Sequence, residues 1–428
     1  MLPNKSLAHI TRCILESADN TNLSPFLSEA PWREDAVNRR RTRFMLQQTK
    51  SHRRRRRESL VVIDATLCEH VGSLFEHVDR PDHHGDGTYP LAHHPVTSLS
   101  VSGPVRFPLD LRLSRRYEEL TQWEAAVAKP FPDLPIPSEK KTRNRLHQQV
   151  DPVRLQDPEF QARHEQFRTK MTLAMDLIEE AIGRNVPFGV VVFDAWYLAE
   201  DLIQVLARRR KDWISLLKRN RLLETASVQL RDAHGWPLRL PCPHIALEEL
   251  VPLIPANAYR PVTVSEQTYG CFTLAVRIPG LGKVRIVVSV EHEQLTGRYT
   301  VLVTNRADWS GAKIMARYLR RWPTDTFDQD SKGPLGFNAY RRRSAEAIGT
   351  HGCVVFVASS WLHLTCLPAR PERTRGLIHT MGDACRRHQG RAVLQQLLLF
   401  VHDQLSHGAT IDHVFAQVFA KQRATVLA

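Results

Sequence analysis

The chain of 428 residues is long enough for two or three domains, each with a core of its own. Its 59 Lys and Arg against 45 Asp and Glu leave a formal charge of +14, which favours an anionic partner, nucleic acid or a membrane surface. No apolar run reaches membrane-span length (the longest is Cys353 to Leu362), the first twenty residues lack a signal-peptide core, and the seven cysteines form no CxxC pair. These features exclude a zinc site or a disulfide frame and lead us to expect reduced thiols in a cytosolic protein.

Residues 1–58 read as short helices with an arginine-rich side, AVNRRRTRFMLQQ being the clearest. They lead into Arg53, Arg54, Arg55, Arg56 and Arg57, a run that no packed core holds as a block. Such a run is a solvated linker, a phosphate-binding arm, or both. At 60–66 the pattern turns to LVVIDAT, four apolar residues running into Asp64, which predicts a strand buried on both faces with a carboxylate at its end. That carboxylate either caps the next turn or holds a cation, because burying it unpaired is costly. The stretch 96–116, VTSLSVSGPVRFPLDLRLSRR, predicts two antiparallel strands that turn at Ser102-Gly103-Pro104. Residues 117–158, charged and proline-bearing, are expected to form a surface loop. One long amphipathic helix is expected over 158–183, with Phe167, Met171, Met175, Ile178 and Ile182 on its core side. The pairs His83-His84 and His93-His94, near Asp82 and Asp86, read as polar loop residues and not as a metal site.

Next comes PFGVVVFDAWYLAEDLIQVLARRRKDWISLLKR, which predicts a strand at 188–193, a helix at 199–210 and a strand at 213–217. That crossover implies parallel pairing and sets Asp194 at the carboxyl end of its strand, where open α/β sheets hold ligands. Asp64 precedes Asp194 by 130 residues, and Asp194 precedes Asp325 by 131. The second gap exceeds one helix and turn, and its strand-like segments 262–264, 271–278, 283–290 and 299–305 predict a mostly β insertion. Trp236, inside it, is expected to be a packing residue, the alternative being a ring that stacks on an extruded base.

Residues 318–332 read YLRRWPTDTFDQDSK. On a helix, Tyr318, Arg321, Asp325 and Lys332 would share an arc of roughly 60°. Such a face is either a solvated mixture of charges or an acid for a hard cation beside groups that grip phosphate. Pro323 predicts a kink or restart, and Gly333-Pro334 a stop. Beyond lie Arg341 to Arg343 and, from about 345, helices to the end. The last has an apolar face of Val393, Leu394, Leu397, Leu398, Val401 and Leu405, fit to pack on the core or on a second protomer.

The spacing Tyr318-x2-Arg321-x3-Asp325-x6-Lys332 resembles the YREK signature of bacterial insertion-sequence transposases, the DDE group with a ribonuclease-H-like core. Asp194 with Tyr197 three residues on, then Lys218-Arg219-Asn220, resembles the second motif of that family. Asp325 departs from the pattern, since the family usually has glutamate there. The resemblance implies an α/β fold: a helical basic region 1–58, a ribonuclease-H-like core over 59–220 and 306–345, a β insertion at 221–305, and a helical region 346–428. It implies that Asp64, Asp194 and Asp325 hold two Mg²⁺ ions, replaceable by Mn²⁺, while Tyr318, Arg321 and Lys332 hold the DNA strand and Arg53 to Arg57 add phosphate contacts. The implied activity is cleavage and strand transfer of double-stranded DNA, at transposon terminal repeats and target, by a homodimer in the bacterial cytoplasm at the nucleoid, with no membrane. The alternatives are a transposase-derived DNA binder that no longer cuts and a hydrolytic DNA nuclease.

Overall fold

The computed structural model describes residues 33–70, 74–79, 90–240, 242–264, 266–291, 298–340, 343–367, 381–411 and 413. The histidine and aspartate residues 82–86 and Arg341 and Arg342 lie outside the described residues, as do the side chains of Asp325, Val393 and Leu397.

The run Leu60 to Ile63 forms the fully buried part of β1 (Leu60–Ala65), and every other strand of the main sheet is placed relative to it. The hairpin β2 (Pro95–Ser102) and β3 (Val105–Leu113) follows. Its two-residue turn has Gly103 at φ +66°, the left-handed conformation that a type II′ turn needs first. Then come β4 (Val190–Phe193) and β5 (Asp212–Leu216). The last four strands are β6 (Arg260–Val264), β7 (Gln267–Ile278), β8 (Gly282–Glu291) and β9 (Tyr299–Thr304). The sheet order is β6-β7-β8-β9-β5-β4-β1-β2-β3. β1 is antiparallel to β2 and parallel to β4, and β4 is parallel to β5. An antiparallel meander followed by two parallel crossover strands is the ribonuclease-H-like order. The inserted strands continue this sheet, because β9 pairs with β5 from Leu302↔Leu216 to Thr304↔Ile214.

Strand alternation sorts side chains onto two faces. Val61, Ile63, Val191 and Phe193 face one way, under α2 (Lys170–Gly183) and α3 (Glu200–Arg208). Leu60, Val62, Val190 and Val192 face the other, under α4 (Gly311–Tyr318), α5 (Trp322–Lys332) and α6 (Ala345–Cys366). Asp64 and Asp194 come next in the second alternation. A basic helix, α1 (Glu34–Gln48), is fastened to this body. Its buried Arg41 donates to Ser360 Oγ at 2.9 Å and to Pro108 O at 2.5 Å, and Asn38 Nδ2 donates to Asp110 Oδ1 at 3.0 Å.

Four expectations change. Residues 117–158 are not a surface loop but mostly helix: Tyr117–Thr121, Trp123–Ala128 and Lys140–Arg154, with Pro158–Gln166 packed beside them. Their few apolar residues, Trp123, Val127, Val150 and Phe160, make a core too sparse to give a clear helical period. The long helix over 158–183 is two helices, since Thr169 accepts a hydrogen bond from Thr172 N and starts α2. Trp236 is not packed: it is 72% exposed on a turn held by Asp232, whose Oδ1 accepts from His234 N and Trp236 N. Lastly, α6, at 22 residues and mean hydropathy 1.3, is long and apolar enough to cross a membrane by length and composition. Within the fold 61% of its most apolar window is buried, and Gly352 sits where a Cβ would come within 2.5 Å of Leu111, so β3 and α6 pack too closely for a side chain.

Candidate active site

Asp64 stands at the carboxyl end of β1, and Asp194 directly follows β4, its parallel neighbour. In the pairing Ile63↔Phe193 the two aspartates are the next step, so adjacent strand ends present a carboxylate each to the same side. Asp64 Oδ1 accepts from the backbone of Ala65 at 2.9 Å, and Oδ2 accepts from Arg321 Nη1 at 2.6 Å. Asp194 sits in a tight turn. Its Oδ1 accepts from Trp196 N, and its carbonyl accepts from Tyr197 N at 3.2 Å and Ser215 Oγ at 3.1 Å.

Arg321 reaches Asp64 because the chain changes course there. α4 ends at Tyr318, a single 3-10 turn spans Leu319–Arg321, and α5 restarts at Trp322 with Pro323 in its first turn, where the missing N–H costs nothing. The Arg321 guanidinium lies 5.9 Å from the Tyr318 ring centre. Further along α5, Phe327 is buried against Phe356. Burial pushes the Cys68 thiol up to about 12, while Lys332 pulls it down and Asp328 pushes it further up. Positions 325, 328 and 332 share one helical stripe. The backbone of Asp325 lies on that stripe one turn nearer Arg321 than Asp328, and the stripe is turned away from the buried Phe327 and Ser331 by about a quarter to a third of a turn.

Tyr197 is buried, and its hydroxyl has no hydrogen-bond partner among the described residues. Burial, then the charges of Asp64 and Asp194, push its phenol well above the ordinary range, so it remains a neutral donor.

Arg53 to Arg57 are elsewhere. They lead into the amino end of β1, and from there Asp64 is about 13 Å further along the strand at ~3.3 Å per residue. The run is partly built in: Arg53 Nη2 donates to Leu46 O at 2.7 Å, Arg54 N to Ser102 Oγ at 2.9 Å, and Arg56 Nε to Phe188 O at 3.4 Å. Gly189 makes room for it, since a Cβ there would lie 2.9 Å from Arg57 Cα. The heads of Arg54 to Arg57 remain exposed, and other cations join them. Arg320 Nη1 donates to Glu58 O at 3.2 Å, and burial followed by Arg54 pulls its pKa down. Burial, then Arg56, pulls Lys211 down to about 8.

His93 is not a loop residue. It is buried, its Nε2 donates to Glu76 O at 2.8 Å, and its Nδ1 lies 2.8 Å from Tyr340 Oη and 2.9 Å from His70 Nε2. Burial pushes His70 down to about 4, so this cluster is a neutral polar network. Sequence reasoning also passed over Trp196, 47% exposed beside Asp194, and Asp328, which shares a helical stripe of α5 with position 325. The Asp-Ala-Trp-Tyr turn, with an aromatic two residues after a strand-end acid, was the available signal for the first.

Two carboxylates on adjacent strand ends, one already against a guanidinium, are a donor set of the kind that suits a hard divalent cation. Among the described residues no three His, Cys, Asp or Glu side chains converge into a closed cluster. Fold and site together define a ribonuclease-H-like nuclease architecture. Residues 1–270 match the family described as DDE superfamily endonuclease, and the chain belongs to that family. The matched span includes Asp64 and Asp194 and ends before 318–332. No curated protein matches the chain.

Proposed function

We propose that the chain is a DDE transposase, which cuts double-stranded DNA at the terminal repeats of its element and joins the freed end to a target. The observation that carries this reading is the pair Asp64 and Asp194 at adjacent parallel strand ends, under the Arg321 that begins the acid-bearing helix. Asp64, Asp194 and Asp325 would hold two Mg²⁺ ions, with Mn²⁺ as substitute. When bound, these supply the Lewis acidity that activates a water or 3′-hydroxyl and stabilises the leaving oxygen. The chain's own groups do the rest. Arg321 can exchange the Asp64 carboxylate for a phosphate at little cost, since both present anionic oxygen pairs to its planar fork. Tyr318 lines the approach beside it, Lys332 adds positive charge one helix stripe away, and the neutral Tyr197 phenol offers a hydrogen bond without adding charge. The exposed arginines among residues 53–57 serve DNA at the other end of β1, outside the chemistry. A homodimer on DNA at the bacterial nucleoid suits this activity.

The test uses purified protein with labelled duplexes carrying the ends of its own element, and Mg²⁺ or Mn²⁺. Specific nicking that disappears in Asp64→Asn and Asp194→Asn, with DNA affinity kept within a few-fold, is the expected result. Normal cutting by either variant would show the site to be elsewhere.

One observation favours a second reading, a transposase-derived DNA binder. Asp325 is one methylene shorter than glutamate, about 1.5 Å of reach. An inert wild type that Asp325→Glu restores would establish it.

A further inference from the structure

Beside Asp194, on the side away from Asp64, the chain forms a cavity of about 250 Å³. Its walls come from the turn after β4, including Trp196, and from the segment after β5, with Leu217, Lys218, Asn220 and Arg221. The two segments meet because β4 and β5 run parallel, Phe193 opposite Ser215, and leave the sheet together at the edge that bears the aspartates.

The composition of this cavity is unusual for a surface pit. Trp196 is 47% exposed, though burying an indole would be favourable, and its ring is steadied edge-on by Tyr197 at 5.0 Å. Lys170 Nζ stands 5.9 Å from the ring centre, a cation above the aromatic face. Lys218 and Asn220 are exposed, and their side chains make no hydrogen bond or ion pair among the described residues. An open aromatic face, cationic donors and an amide, next to a strand-end carboxylate, match the two parts of an unpaired nucleotide: a base to stack and a phosphate to hold. A duplex would not use the ring, since its bases are already stacked.

Resting on the transposase reading, we infer that this cavity is a subsite for one unpaired nucleotide next to the scissile phosphate. Trp196 stacks the base, and Lys218 and Arg221 hold its phosphate. The site thus takes a DNA end whose strands are parted, with Asp64, Asp194 and the cavity in sequence along the carboxyl edge of β1, β4 and β5.

The test compares a blunt duplex with the same duplex carrying a short single-stranded overhang, by fluorescence anisotropy without divalent metal, with 2-aminopurine in the overhang as a second signal. Wild type should prefer the overhang by about 5- to 150-fold, the range of one base–aromatic stack, and quench the 2-aminopurine. Trp196→Ala should erase both effects, Trp196→Phe should keep most of the preference, and Lys218→Gln should reduce it. Trp236→Ala, an exposed tryptophan outside the cavity, should leave it intact. Equal binding of the two duplexes by wild type, or a full preference in Trp196→Ala, overturns the subsite while leaving the DNA reading in place. Failure of folded wild type to bind either duplex at low salt overturns both.

Discussion

The contact between Arg321 and Asp64 sets a competition at the residue scale. A guanidinium 2.6 Å from Asp64 Oδ2 occupies the side of the carboxylate that a divalent ion would need. Both side chains are largely buried, at 21% and 17% exposed, but desolvation offsets much of their attraction, so the pair's net worth is small, on the order of 1 kcal/mol. It is nonetheless enough to shift metal affinity several-fold. A DNA phosphate can draw Arg321 away, so DNA should ease metal entry. Titrating the protein with Mn²⁺ by calorimetry, we expect Arg321→Ala to bind the metal several-fold more tightly than wild type when DNA is absent. Added duplex should tighten Mn²⁺ binding in wild type and do so much less in the variant. Weaker metal binding by DNA-free Arg321→Ala would mean that the arginine orders the carboxylates and does not compete for them. At Asp325 the expectation for an active enzyme is that Asp325→Asn removes cleavage, and that Asp325→Glu lowers it by crowding a cluster built for the shorter acid. Cleavage assays of the two variants beside wild type read this directly.

Elements are joined here by a buried charged cluster that the sequence did not announce. Asp110, on β3, is 3% exposed and meets Arg184 at 2.5 Å, Arg112 at 3.2 Å and Asn38 of the basic helix Glu34–Gln48 at 3.0 Å. Burial pushes its carboxyl up, but Arg112 and Arg184 outweigh that and hold it below the ordinary aspartate value of 3.8. A folded pKa below the unfolded one means stability that is present above about pH 4 and is lost as pH falls through the folded value. Asp110→Asn should therefore lower the melting temperature at pH 7 and cost up to about 3–5 kcal/mol of stability, since Arg184 loses its buried carboxylate and keeps the more exposed Glu180 and Asp35 with the Leu109 carbonyl. The acid side of its melting-temperature curve between pH 6 and 3 should also be flatter than that of wild type. An unchanged acid slope would place the titrating group elsewhere. Asp64, Asp194 and the sheet around them were legible because an apolar run ending in a carboxylate is a local pattern. Asp110 was hidden in the alternating strand VRFPLDLRL, where an acid looks like an ordinary exposed position. The helices of 117–158 were hidden for a related reason: Trp123 draws on apolar partners far apart in sequence, so no periodic window marks them.

At the scale of the whole molecule, the positive charge is divided between two ends of the strands. Arg321 attends the carboxylates, whereas Arg54 to Arg57 and Arg320 gather where β1 begins. One bound duplex of ordinary length can touch both, because phosphates recur along DNA and the start of β1 is only about 13 Å from Asp64 by strand rise. The arginine run cannot simply be deleted to test this. Arg53 and Arg56 hold backbone carbonyls, and the run forms the entry to β1, so its loss would disturb the sheet. The informative variant changes exposed heads alone: Arg54, Arg55 and Arg57 to Gln together, with Arg53 and Arg56 kept. Binding of a non-specific duplex should weaken, and the plot of log affinity against log salt should become shallower by about 0.9 for each phosphate contact removed. Three lost contacts give a change near 2.7 on that scale, and two give about 1.8. Specific nicking measured at saturating DNA should be almost unaffected, since these residues grip DNA and stand away from the chemistry. A slope equal to that of wild type would show that DNA does not cross this end, and would confine the binding surface to the carboxyl edge of the sheet. A large loss of nicking at saturation, with folding intact, would mean that the arginines position the strand and that the two ends act as one site.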